Sequence, residues 1–308
     1  MGGIVFGAKM QDGGFVAHEK AETLQELASL QGSAYVQSDI SCIFDSVVEC
    51  LKSDRLVMFV GLPCQCAAVL AYVQLKLHSD SFLKRLLLCD LICHGAPNNE
   101  LFRAHQLWLA RKQKADDGIH SFRFRTKKKG WGLYYYYYYY RNGKKIEVCE
   151  PGDNDPYYAA FLRGETYRES CYKCPFSKRE RVTDFTIGDY WGIESAHPDF
   201  YDPNGVSLLL VNSLKGVQFF KQYSSRECKY IVSNIQLASR ENHNLNSPTV
   251  RPTSRDDLLC AIANHRSYGD LEALFDTTLK PRLTVKRLAK QMLPSGLYGS
   301  IKRIVRKG

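Results

Sequence analysis

Four cysteines stand where a metal centre would draw its ligands: Cys64 in Leu62-Pro-Cys-Gln, Cys93 in Cys93-His-Gly, and the pair Cys171 and Cys174 in Ser170-Cys-Tyr-Lys-Cys-Pro. The C-x-x-C spacing lets one short loop present two thiolates to a single metal ion or cluster. Two lone cysteines must then supply the remaining ligands. Zinc ribbons show two such knuckles, whereas this chain has one. Spacing alone leaves three readings open: an iron–sulfur cluster, a zinc ion, or inert thiols. Lys173, Lys178 and Arg179 beside the knuckle would offset the negative charge of four thiolates on a cluster. For Cys42, Cys50, Cys89, Cys149, Cys228 and Cys260 the expectation is burial as small hydrophobes, the usual fate of a free cysteine, and Cys66 is left undecided.

The elements that must position these thiols follow from apolar patterning. Leu56–Gly61 (LVMFVG) and Leu86–Cys93 (LLLCDLIC) are β-rich runs. Each ends in a sharp turn and passes into a helix, the first through Leu62–Gln65 and the second through His94–Pro97 to a start at Asn98 or Asn99. Neighbouring parallel strands carry such ends to one edge of the sheet, where α/β proteins bind ligands. Upstream, residues 4–18 read as a hairpin turning at Asp12–Gly13, residues 21–31 as a helix closed by Gly32, and residues 34–37 as a short strand. Ser38 or Asp39 is the expected cap of a helix reaching Lys52. Residues 121–148 form a second hairpin around Asn142–Gly143, with seven consecutive tyrosines, Tyr134 to Tyr140, in one arm. A base-stacking platform is one reading of that run. A strand contacted on both faces is the other, and β-propensity favours it. A helix at 156–163, a cysteine-bearing loop at 167–180, strands in DFTIGDYWG and GVSLLLVNS, and mixed helices and loops to residue 279 complete the chain. The fold class expected is α/β (mixed α+β), a central mixed sheet with flanking helices, a β-hairpin insert and a helical C-terminal tail. Three regions are expected: 1–215, 216–279 and 280–308.

The chain of 308 residues is 44% hydrophobic and 12% aromatic, with 42 basic and 32 acidic residues and a net charge of +10. The excess is local. Residues 280–308 hold nine basic and no acidic residues, which leaves 33 basic against 32 acidic in the rest. No specific nucleic acid is therefore expected as a partner. The tail has apolar stripes at helical spacing (Val285, Leu288, Ala289, Met292, Leu293, then Leu297, Ile301, Ile304, Val305), which either pack on the body or dock on an anionic membrane surface or acidic partner. The opening MGGIVFGAKMQDGG lacks the basic leader and apolar core of a signal peptide. A cytoplasmic protein with reduced thiols is the expectation, and eleven scattered cysteines agree with it. Leu56–Val73 is long enough to raise a membrane span, but Gly61, Pro63 and Gln65 at its centre argue for strand, turn and helix.

The ordered segments VFGAKM, GSAYVQS, FVGLPCQCAAVLAY, LICHGAP, FRFRTKKKGWG, ESCYKCPF, DFTIGDYWGI and NGVSLLLVNS resemble the coenzyme F-420 hydrogenase/dehydrogenase beta-subunit family over roughly residues 2–215. The resemblance implies an oxidoreductase with FAD and a 4Fe-4S cluster, the cluster held by Cys64, Cys93, Cys171 and Cys174. A flavin accepts hydride and releases single electrons, so it belongs between a hydride carrier and a cluster. For the flavin, the turn and helix start at Gly61, Pro63 and Gln65 offer N–H groups and a positive dipole end. Arg125, Lys127 and Lys128 would add charge, and Gly188, Asp189 and Trp191 would border the ring, unless Gly-Asp-Tyr-Trp-Gly is only a structural turn. The implied partners are a ferredoxin or redox partner subunit and a small-molecule substrate, a sugar intermediate if the family's members from bacterial polysaccharide gene clusters are the right comparison. Relatives carry a ferredoxin-like Cys-x-x-Cys-x-x-Cys segment before the point where this sequence starts, and the expectation is that this protein lacks it. No residue is singled out as catalytic. The competing class is a non-catalytic binding module with zinc or empty thiols and a basic docking tail.

Overall fold

The computed structural model describes residues 2–224, 228–264 and 271–279. The basic segment 280–308, with its expected docking role, lies outside them. A six-stranded mixed sheet forms the centre in the order β2-β1-β3-β4-β8-β9. Its strands are β1 (Ile4–Met10), β2 (Val16–Ala21), β3 (Val57–Gly61), β4 (Leu86–Leu91), β8 (Phe185–Asp189) and β9 (Ser207–Val211). β1, β3, β4 and β8 run parallel, and β2 and β9 close the two edges antiparallel. β4 is buried along nearly its whole length, as a central parallel strand covered on both faces must be, which is why its sequence reads as an unbroken apolar run. After the short helix α1 (Leu24–Ser29), helices α2 (Phe44–Lys52) and α3 (Pro63–Leu77) cover one face, with Val47, Leu51, Val69 and Val73 packed against Phe6, Phe59 and Leu88.

The second sheet is antiparallel, β5 (His120–Arg123), β6 (Tyr134–Arg141) and β7 (Lys144–Pro151) in that order. Tyr135, Tyr137 and Tyr139 on one face of β6 enter the core beside Leu101, Phe102 and Trp108 of the helix Asn99–Gln113. On the other face Lys128 Nζ sits 3.9 Å from the centre of the Tyr136 ring, and Tyr138 stacks on His120 at 5.1 Å with Lys145 over it. The tyrosine run is thus a strand contacted on both faces, and its rings are occupied by protein.

Three local expectations differ from the structure. The first hairpin turns through the longer segment Asp12–Gly14, in which Gly13 and Gly14 both take positive φ. Residues 34–37 form no strand; the backbone there is tied by bonds such as Gln37 N–H to the Pro97 carbonyl. The cap of α2 is absent, because the Asp39 carboxylate accepts from Ser41 N–H in a turn and the helix starts only at Phe44. The 56–73 stretch divides into β3 and α3, and among the described residues no helix is long and apolar enough to cross a membrane.

A buried histidine gives the sheet a pH dependence. His18 on β2 is 5% exposed, stacks on Phe59 at 4.9 Å and donates from Nε2 to the Val60 carbonyl at 2.9 Å, leaving Nδ1 buried without a partner. Burial pulls its pKa down to about 4, with the Val60 bond opposing. The unfolded chain takes up this proton below pH 6.5 and the folded chain does not until about 4. Stability present above pH 6.5 is therefore lost across that window, by about 3 kcal/mol. His18→Gln, which keeps a donor for Val60 and does not titrate, should flatten the fall in urea midpoint between pH 6.5 and 4 relative to the unaltered protein. Equal slopes in the two proteins would rule His18 out as the cause.

Candidate functional site

β3 and β4 pair in parallel register, Val60 opposite Cys89 and Gly61 opposite Asp90. Their C-terminal ends therefore reach the same edge of the sheet. Cys64 stands in the first turn of α3, whose Pro63 begins the helix with its φ already set. Cys93 follows β4 in an irregular segment, and Cys171 and Cys174 lie in and just after a short 3-10 turn, Glu169–Lys173. All four cysteines line a single cavity of about 160 Å³, walled also by Pro63, His94, Ala96, Phe176, Arg168 and Arg181. Three separate segments of chain supply the thiols.

The thiols act on one another. Burial pushes Cys93 up to about 12, the Gly95 N–H opposes the rise, and Cys171, Cys64 and Cys174 all add to it. Burial also raises Cys64, with Arg168 opposing and Cys174 and Cys171 reinforcing. Among the described residues no three His, Cys, Asp or Glu side chains converge closely enough to hold one metal ion. The arrangement is four thiols spaced around a cavity.

The other cysteines divide in a way the sequence did not foretell. Cys50, Cys66 and Cys89 are buried, and Cys66 Sγ donates to the Cys89 carbonyl at 3.6 Å. Cys42, Cys228 and Cys260, expected to be buried, are exposed. Their segments lie at the surface, and burial is a property of packing that residue type alone does not carry. Lys173, Lys178 and Arg179, expected to offset cluster charge, are exposed as well, and Arg179 bonds to Asn246 and Ser239. The cations on the cavity wall are Arg168 and Arg181.

The residues read as flavin contacts fall into separate groups. Arg125 Nη1 donates to Asp189 Oδ2 at 2.5 Å and to the Tyr35 hydroxyl at 3.3 Å, and Nε donates to the Gly132 carbonyl. Burial works against the Arg125 charge, but Tyr35 and Asp189 outweigh it and its pKa rises. Trp131 Nε1 donates to Asp189 Oδ1 at 3.3 Å, and the Trp131 and Trp191 rings stack at 4.9 Å with Arg125 over Trp191. A pocket of about 60 Å³ opens here, lined by Arg125, Lys127, Trp131, Asp189 and the start of β9.

Gly61, Pro63, Gln65, Gly188 and Lys128 stand apart from this pocket. Gly61 is packed so that a Cβ would lie 2.8 Å from the Phe59 ring. Pro63 lines the cysteine cavity. The Gln65 side chain accepts from Leu62 N–H and donates to the Ser38 carbonyl and hydroxyl, so it is committed to the start of α3. Gly188 gives Ile92 room, since a Cβ would meet its Cδ1 at 2.8 Å. Lys128 pairs with Glu147 at 2.8 Å.

His94 lines the cysteine cavity, and burial lowers its pKa, with His243 reinforcing the fall and Asp189 opposing it. Trp131, Tyr35 and His94 had no role assigned from sequence, although all three sit within the motifs that carry the family resemblance. Arg181 had no such signal, being one of several basic residues in Ser177–Arg181.

Comparison with known proteins supports one assignment. Among solved structures, a chain of the F420-reducing NiFe hydrogenase complex from Methanosarcina barkeri aligns at 13% identity and a TM-score of 0.45, covering 79% of this chain and 77% of that one. No curated protein matches. The family described as the C terminus of the coenzyme F420 hydrogenase/dehydrogenase beta subunit, by contrast, matches residues 54–234, the stretch that holds all four cavity cysteines and the Arg125–Asp189 pair. This protein belongs to that family of redox-enzyme subunits.

Proposed function

We propose that this chain is a flavin- and iron–sulfur-dependent oxidoreductase that passes electrons between a hydride carrier or ferredoxin and a small-molecule substrate, acting with a redox partner subunit. The observation that carries the reading is the convergence of Cys64, Cys93, Cys171 and Cys174 on one cavity. A 4Fe-4S core needs thiolates spread around a polynuclear body, and three segments of chain that bring four thiols to one cavity can supply them. The cluster supplies one-electron transfer and FAD the exchange of hydride for single electrons.

The chain's own residues do the holding. Cys93 and Cys64, with raised pKa values, must release protons to become ligands. Lys127 and Arg125, the latter paired with Asp189, give the smaller pocket its cations, and Trp131, backed by the stacked Trp191 ring, gives it an apolar wall. A pocket of that size takes an anionic end of a cofactor, such as a phosphate, rather than its whole length.

Anaerobic reconstitution of the full-length chain with iron, sulfide and FAD tests the reading. The expected product is brown, carries about four iron and four sulfide per chain, and retains FAD through gel filtration. Iron and sulfide near zero, or a colourless protein with one zinc per chain, would overturn it.

A further inference from the structure

We infer that Arg168 and Arg181 set the reduction potential of the centre held by the four cysteines, by donating guanidinium N–H bonds to its sulfur atoms. The inference rests on the iron–sulfur reading above. Both side chains line the cysteine cavity. The Arg181 side chain is 2% exposed, and its contact with Asp90 is long, Nη1 to Oδ2 at 3.4 Å. Its Nε and Nη2 are shielded from solvent and have no acceptor, and the same holds for Arg168 Nε.

Buried donors without acceptors are rare because each loses its water and gains nothing in return. Two arginines with orphaned N–H groups on the wall of one cavity therefore mark where an acceptor belongs. The cavity wall holds the four thiols, apolar side chains, His94, Ser170 and Ser177 but, among the described residues, no carboxylate, so the acceptor that matches these cationic donors is sulfur or another anion inside the cavity.

The consequence is electrostatic. A four-iron core bound by four thiolates is negatively charged, and an electron taken from a reductant adds one more negative charge in a poorly solvated place. Fixed cations and N–H···S bonds stabilise that reduced form more than the oxidised one and raise the potential. Lys173 and Lys178, exposed beside the same knuckle, are screened by water and contribute little.

The test is a mediated redox titration of the reconstituted full-length chain with dithionite, followed by visible absorbance and by the magnetic resonance signal of the reduced cluster. Arg168→Met should shift the one-electron equilibrium toward the oxidised form about tenfold, a fall of about 59 mV. Arg181→Lys keeps a charge opposite Asp90, so the fold survives, but loses the orphaned fork and should lower the potential by a smaller step. Lys178→Met should leave it unchanged. Arg168→Met and Arg181→Lys proteins that hold their cluster at the unaltered potential would overturn the inference. An unaltered protein that takes up no iron would instead overturn the cluster reading beneath it.

Discussion

Cys174→Ala protein should emerge from anaerobic reconstitution without the broad visible absorbance of the unaltered chain and with iron near background. Alanine offers no donor atom, and the cavity has no spare thiol to take its place: Cys66 is turned to the Cys89 carbonyl inside the core, and the three exposed cysteines are not on the cavity wall. The same loss is expected for Cys171→Ala, Cys64→Ala and Cys93→Ala, since a cluster anchored at fewer points loses the stabilisation that binding gives to folding. Cys228→Ala and Cys260→Ala should load normally because both side chains face solvent. Cys66→Ala separates two kinds of damage: it should lower stability by leaving a small void behind α3, about 1 kcal/mol or more, while iron content stays near four per chain. Iron and sulfide assays on the set, alongside thermal melts, distinguish ligands from packing residues. Should Cys228→Ala lose iron while Cys174→Ala keeps it, the ligand set is wrong.

The sequence exposed the parts of this fold that depend on repeated local chemistry. Unbroken apolar runs before a sharp turn located β3 and β4, and parallel pairing then brought Cys64 and Cys93 to one edge. β-Propensity along Tyr134–Tyr140 sufficed to read a strand contacted on both faces, and three of its rings enter the core. What stayed hidden was set by partners distant in the chain. Gln65 looked like a cofactor contact because it opens a helix, yet Ser38 on another segment absorbs its amide. Arg181 carried no signal in the sequence, and only the fold puts it beside Asp90 of β4 and closes water out. Trp131 gained meaning only once the loop after β5 and the end of β8 were seen to stack its ring on Trp191. The Asp39 expectation failed for a local reason: its carboxylate found a nearer N–H at Ser41 than the helix start offered.

Gly95→Ala should be among the most damaging single changes in the molecule, and the damage should reach the cysteine cavity. Gly95 has φ near +140°, which L side chains rarely adopt, and a Cβ built there falls 2.2 Å from Cδ2 of Tyr167. That ring has nowhere to retreat: Tyr167 is 2% exposed, meets Phe161 edge-on at 5.2 Å and stacks on Tyr172 at 5.9 Å, and the Tyr172 hydroxyl is bound to the Gly164 carbonyl. The backbone of residues 93–96 must move instead. It carries Cys93, the N–H that reaches the Cys93 sulfur, and the Ala96 carbonyl that accepts from Arg168 N–H at 3.1 Å. A forced backbone conformation costs about 1–3 kcal/mol and an overpacked core site about 1–3 more, so a fall in Tm on the order of 10 °C is expected, together with poor cluster retention. Gly13→Ala is the matched control, because Gly13 also has positive φ, at 77°, but a Cβ there meets nothing within 4 Å. It should cost only the backbone strain, about 1 kcal/mol, and load iron as the unaltered chain does. The double change Gly95→Ala with Tyr167→Ala removes the collision but keeps the strained φ and opens a void, so it should recover iron loading before it recovers Tm. If Gly95→Ala alone melts and loads like Gly13→Ala, the close approach to Tyr167 does not constrain the turn that presents Cys93.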